Sequence, residues 1–124
     1  MQDKALVTII CLCYNQEAFV LESLQSIINQ DYKKIELIIV DDCSIDNSKT
    51  TIDNWLVNYP EVQFIANTNN LGITKAFNKA LQLAKGAYII DLAADDILLP
   101  NCVSHQIVTF ENSNYKNLGI VYGN

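Results

Sequence analysis

The sequence predicts an α/β fold with a mostly parallel sheet and helices on both faces. Two observations carry that prediction. Apolar, β-branched runs of strand length alternate with segments of helical spacing along the chain. Three of the apolar runs pass directly into polar or acidic residues, as strands do whose carboxyl ends face a ligand crevice.

The first run, over 6–13, is apolar enough for a strand buried on both faces. A helix over 17–29 follows, with Val20, Leu24, Ile27 and Ile28 on one face. The second strand is expected over 35–40, then a turn-rich stretch from Asp41 to Asp46. Ser44 or Asp46 suits the N-cap of the next helix. That helix presents Ile52, Trp55, Leu56 and Tyr59, and Pro60 ends it. A short strand over 62–66 precedes the polar loop Asn67, Thr68, Asn69, Asn70. The third helix places Ile73, Ala76, Phe77, Ala80 and Ala84 on one side, with Gly86 at its C-terminal end. A strand over 87–92, a helix over 98–112 and a fifth strand over 118–122 complete the alternation. Such units imply right-handed crossovers.

At 124 residues the chain suits one domain, and half of its residues are hydrophobic, enough for a core. No run approaches the roughly 18 apolar residues of a membrane span, and the N-terminus lacks the pattern of a secretory signal. The net charge of -6 argues against nucleic acid or an anionic membrane surface as partner. An acidic domain still binds a nucleotide when a divalent cation lies between acid and phosphate. The four cysteines, Cys11, Cys13, Cys43 and Cys102, lack the paired spacing of a zinc site and read as buried free thiols.

Three strand ends carry residues with chemistry. Tyr14, Asn15 and Glu17 follow the first; the tyrosine suits stacking on a base, and the polar pair suits a sugar or base edge. Turn formation and helix capping explain the same residues equally well. Asp41 and Asp42 follow the second strand. One suits a base N–H and the other a loop brace, or both form a solvated turn. Asp95 and Asp96 follow the fourth, after the small Ala93 and Ala94. A hard cation takes one or two carboxylates and fills its shell with diphosphate oxygen and water. An acidic helix start is the plainer explanation. A parallel sheet brings the three ends side by side, which outlines a nucleotide site.

The motifs then resemble a known family. Val7-Thr8-Ile9-Ile10 with Cys13-Tyr14-Asn15, Gln30-Asp31-Tyr32 and the run from Glu36 to Asp46 look like the opening of family 2 glycosyltransferases. Asn70-Leu71-Gly72-Ile73, Asn78, Gly86-Ala87-Tyr88-Ile89 and the stretch from Ala94 to Pro100 continue in the same order. The resemblance implies a Rossmann-like GT-A fold and a nucleoside-diphosphate-sugar donor, most commonly a UDP-sugar. It implies Mg or Mn as cofactor and inversion at the anomeric carbon. By motif, Tyr14 and Asn15 flank base and ribose, Glu17 sits beside the donor, and Asp42 meets the base with Asp41 in support. Asp95 and Asp96 match the acidic motif at metal, ribose and phosphate, although Ala93 stands where the usual Asp-x-Asp has its first acid.

The family's general base lies beyond the acidic motif, so no residue up to Asn124 is assigned that role. On this reading residues 1–124 are the nucleotide-diphospho-sugar-binding part, without the acceptor half. They are expected to bind donor without transferring sugar. The acceptor would be a glycan or lipid-linked sugar, in surface-polysaccharide or glycoconjugate synthesis. The expected location is the cytoplasm, with room for contact with the inner face of the membrane. The alternative is a receiver-like signalling module. It expects an acidic pair after the first strand and a lysine after the fifth, and this sequence has neither.

Overall fold

The computed structural model describes residues 4–112. Four strands and four helices alternate: β1 (Val7–Cys13), α1 (Val20–Ile28), β2 (Ile35–Asp41), α2 (Ser48–Leu56), β3 (Gln63–Ala66), α3 (Ile73–Leu81), β4 (Tyr88–Ala93) and α4 (Cys102–Glu111). The strands form one sheet in the order β3-β2-β1-β4, and every pairing is parallel. The strand expected over 118–122 lies outside the described residues.

The sheet buries side chains on both faces, as the apolar runs require. Alternate residues of β1 point opposite ways. Val7, Ile9, Cys11 and Cys13 join Leu24, Ile52, Val103 and Ile107 in the larger core, beneath α1, α2 and α4. Ile10, Ile38 and Val40 pack on Ala76 and Ala80 of α3 in the smaller one. Cys11 and Cys13 are buried free thiols as expected, whereas Cys43 and Cys102 are only half-buried. Trp55 packs against the larger core and stacks on Tyr59 at 4.3 Å between ring centroids, a structural role. His105 is exposed beside Asn101.

Several boundaries shift from the sequence-based expectation, for identifiable reasons. α1 begins at Val20 rather than at residue 17; a turn leads into it, with the Phe19 and Val20 N–H groups both donating to the Gln16 carbonyl. The Gln16 N–H donates to Ser48 Oγ (2.9 Å) and the Glu17 N–H to Asp46 Oδ2 (3.2 Å). α4 begins at Cys102 rather than at residue 98. Pro100 disfavours helical backbone at Leu99, and Leu98 and Leu99 are bonded to the α1 region instead. α3 ends at Leu81, and turns carry the chain through Ala84. Gly86 is therefore no helix terminus. A Cβ there would lie 2.6 Å from both the backbone nitrogen and Oγ1 of Thr8, so glycine is needed for the close approach to β1. Asn47 occupies the cap position of α2 without a side-chain bond, while Asp46 Oδ1 accepts the Ser48 N–H at 2.9 Å.

Candidate functional site

Register places the carboxyl ends of three strands together. Cys13 pairs with Asp41, and Leu12 pairs with Ala93. The loops leaving β1, β2 and β4 therefore open on the same side, joined by the loop that enters α3. Between them lies a cavity of about 670 Å³, lined among others by Tyr14, Asp42, Asn70, Gly72, Asp95 and Asp96.

The loop after β1 and the loop after β2 are zipped together. Asn15 adopts a left-handed backbone (φ 54°), which asparagine tolerates. Its N–H donates to Ser44 Oγ and its Oδ1 accepts the Ile45 N–H, both at 2.9 Å. Asp41 is buried and turned into its own loop, accepting from the Ser44 N–H (3.1 Å) and hydroxyl (2.6 Å). Of the expected nucleotide contacts, Asn15 and Asp41 thus serve as braces, and neither lines the cavity. Glu17 is exposed outside it; only its N–H joins the zipper, through Asp46. Burial works against the Asp46 carboxylate, but the hydroxyl and N–H of Ser48 and the Glu17 N–H hold it below the usual carboxylate range.

Tyr14 is half exposed on the cavity wall, its ring open to a ligand. Asp42 lines the cavity and also organises the loop before α3. Its Oδ1 accepts from Asn67 Nδ2 (3.0 Å) and the Leu71 N–H (2.9 Å), and its Oδ2 from the Gly72 N–H (2.9 Å). Burial alone would raise this carboxyl. The three donors, with Lys79 behind Asn67, outweigh it and hold Asp42 below the usual range. One lone pair of Oδ2 has no partner among the described residues, so the carboxylate retains capacity for one ligand donor.

Asp95 and Asp96 project from the loop after β4, and neither carboxylate is engaged by a described side chain or N–H. Ala93 and Ala94 leave the space beside them open, as their size suggests. Sequence reasoning missed several lining residues. Asp91, on the same face of β4 as Ala93, lines the cavity, and partial burial raises its carboxyl above the usual range. The one acid in an apolar strand was its signal. Gln16, Asn70 and Ile73 also line the cavity; Asn70 and Ile73 belong to a motif of the resemblance, but the motif alone assigned them no role.

The lining thus holds four carboxylates and no basic side chain among the described residues. An anionic ligand would be repelled there without a cation to balance it.

The sequence matches the family model described as glycosyl transferase family 2 over residues 8–122. The chain belongs to this family. This glycosyl transferase family 2 chain is 30% identical over 119 residues to glycosyltransferase GlyG of Streptococcus pneumoniae, covering 96% of itself and 38% of that protein. It is 33% identical over 104 residues to the putative colanic acid biosynthesis glycosyl transferase WcaA of Escherichia coli, covering 84% of itself and 37% of that protein. Its fold is similar to the mannosyltransferase PcManGT of Pyrobaculum calidifontis, solved with GDP-Man and Mn2+. The TM-score is 0.78 at 26% identity, over 90% of this chain and 34% of that one. The chain therefore spans less than two fifths of the length of these two relatives. The GT-A type α/β fold expected from the motifs is the fold observed. The receiver-like alternative falls: the acidic pairs follow β2 and β4, and the family match covers nearly the whole chain. No helix among the described residues is long and apolar enough to cross a membrane.

Proposed function

We propose that this chain forms the donor-binding part of an enzyme that transfers sugar from a nucleoside-diphosphate-sugar, first a UDP-sugar, to an acceptor hydroxyl with inversion. One observation carries the reading. A single cavity is lined by Asp42 after β2 and by Asp95 and Asp96 after β4, with Tyr14 after the intervening β1, and its described lining holds no basic side chain. That separation suits a base at one end and a metal-bound diphosphate at the other.

The donor set fits Mg or Mn. Carboxylate oxygen is the hard ligand such cations prefer. Among the described residues no cluster of three or more His, Cys, Asp or Glu is placed to hold a metal. Asp95 and Asp96 would therefore supply only part of the shell, as is usual where substrate phosphates and water complete it. The bound cation would offset charge on the departing nucleoside diphosphate. The Mn2+ and GDP-Man of the Pyrobaculum mannosyltransferase support the same chemistry here. The protein's own part is binding and orientation: Tyr14 stacks on the base, and Asp42 accepts a base N–H while holding the loop before α3. The relationship to WcaA supports polysaccharide or glycoconjugate synthesis as the setting, with a glycan or lipid-linked sugar as acceptor. None of the described residues is assigned the role of general base.

Calorimetric titration with UDP and with GDP, each with and without Mn2+, tests the reading. Binding that depends on Mn2+ and is lost in Asp96→Ala is expected, with UDP the tighter ligand. Tighter binding of GDP would reassign the base. Absence of metal-dependent binding to either nucleotide would overturn the proposal.

A further inference from the structure

Helix α1 and the turn after it carry a polar stripe inside the larger core. Ser23, Ser26 and Gln30 are buried, at 0%, 7% and 0% exposure, among Val20, Leu24 and Ile27. Polar groups in such a place are retained only when fully bonded. Here the bonds go largely to one segment, the loop that carries Asp95 and Asp96.

The attachments run along that loop in order. Ser23 Oγ donates to the Ala93 carbonyl at 3.4 Å, where β4 ends. Ser26 Oγ accepts the Leu98 N–H at 3.0 Å and itself donates to the Ser23 carbonyl at 2.6 Å. Gln30 Nε2 donates to the Leu99 carbonyl at 2.7 Å and to the Ser26 carbonyl at 3.0 Å. Gln30 Oε1 accepts the Val103 N–H at 3.1 Å, meeting an otherwise orphaned donor at the start of α4. The Asp31 N–H adds a bond to the Pro100 carbonyl at 2.8 Å. On the other side, the Ala94 N–H is held by the Leu12 carbonyl at 2.9 Å. Asp95 and Asp96 thus sit on a short bridge fixed at both ends. Their carboxylates have no described partners of their own, so backbone placement decides where they point.

We infer that Ser26 and Gln30, with Ser23, are positioning residues that set the acidic loop for metal-diphosphate binding. The inference rests on the proposed reading of Asp95 and Asp96. Its physical basis is the one that makes outer partners of metal ligands matter: a ligand held loosely loses affinity even when its own atoms are intact.

The test compares Ser26→Ala and Gln30→Met with wild type and with Ile52→Val. The last removes a core methylene group from α2, far in the sequence from the stripe, and serves as a control for lowered stability. The readout is free Mn2+ followed by electron paramagnetic resonance during titration of protein with UDP or GDP present, beside the melting temperature of each variant. Both stripe variants are expected to weaken Mn2+ binding by roughly ten-fold. Mn2+ binding by Ile52→Val should stay at the wild-type value. Stripe variants that melt earlier but bind Mn2+ like wild type would overturn the inference, leaving the stripe a stability element. Should Gln30→Met not fold, Ser26→Ala decides alone. Wild type that binds no Mn2+ with either nucleotide would sink the proposed function, and this inference with it.

Discussion

Asp42 Oδ2 accepts the Gly72 N–H at 2.9 Å, joining the end of β2 to the start of α3 across 30 residues. The same carboxylate holds Asn67 and Leu71, so one side chain shapes the loop that forms a wall of the cavity. Asp42→Asn keeps the size of the side chain but turns an amide Nδ2 toward N–H donors. A stability loss of about 1–3 kcal/mol at pH 7 is expected, measured by urea denaturation.

The pH dependence of that loss follows from the depressed carboxyl of Asp42. A carboxyl that ionises more readily in the folded state stabilises the fold above its unfolded value of about 3.9. The contribution fades as pH falls through the lower, folded value. The gap in melting temperature between wild type and Asp42→Asn should therefore be full at pH 7 and shrink below about pH 4. A gap that stays constant down to acid unfolding would contradict the assignment.

Cys43 adopts φ 63° at the turn beside Asp42, a left-handed backbone that disfavours residues with a Cβ. Its thiol is a weak donor to the Thr68 carbonyl at 3.4 Å. Cys43→Gly removes the steric cost but frees the unfolded chain, so a net gain of about 0.5 kcal/mol is expected. Cys43→Val adds β-branching and should lose stability. Chemical denaturation of the pair must rank glycine above cysteine and cysteine above valine.

Gly86→Ala places a methyl group 2.6 Å from the Thr8 backbone nitrogen and 2.9 Å from the Tyr88 carbonyl oxygen. Neither is the tip of a flexible side chain, so β1 or β4 must shift. The Gly86 N–H to Thr8 Oγ1 bond, 2.9 Å, would be disturbed as well. A cost of about 1–3 kcal/mol is expected, with faster amide exchange at the start of β1 as the local sign.

Burial pushes the Cys11 thiol up to about 12, with Cys13 adding to it, and burial pushes Cys13 up to about 11 against an opposing hydrogen bond with Ser48. Both should resist a disulfide reagent at pH 8 until the protein unfolds. Their raised values stabilise the fold fully below the unfolded thiol value of about 8.5. That contribution is lost as pH rises through the folded values. Equally rapid modification of all four cysteines in the native state would refute this.

Element order and type were legible in the sequence because they depend on neighbours along the chain. Runs such as the one ending at Cys13 are strands by length and branching, and Val20, Leu24 and Ile27 mark a helical face by spacing alone. The acidic strand ends and the motif order likewise pointed to the family that the chain belongs to. What the local pattern could not show was the partner of each polar group. Asn15 read as a ligand contact, yet folding spends its Oδ1 on the Ile45 N–H, and the support expected of Asp41 goes to Ser44. Gln30 read as a motif letter; only the fold shows it holding Leu99 and Val103, some 70 residues away. Asp91 was hidden in an apolar strand, and its place in the cavity follows from which face of β4 it occupies. Periodicity and turn chemistry are local properties and survive in a linear reading. Hydrogen-bond partners are chosen by sheet order and register, which exist only once the strands have paired.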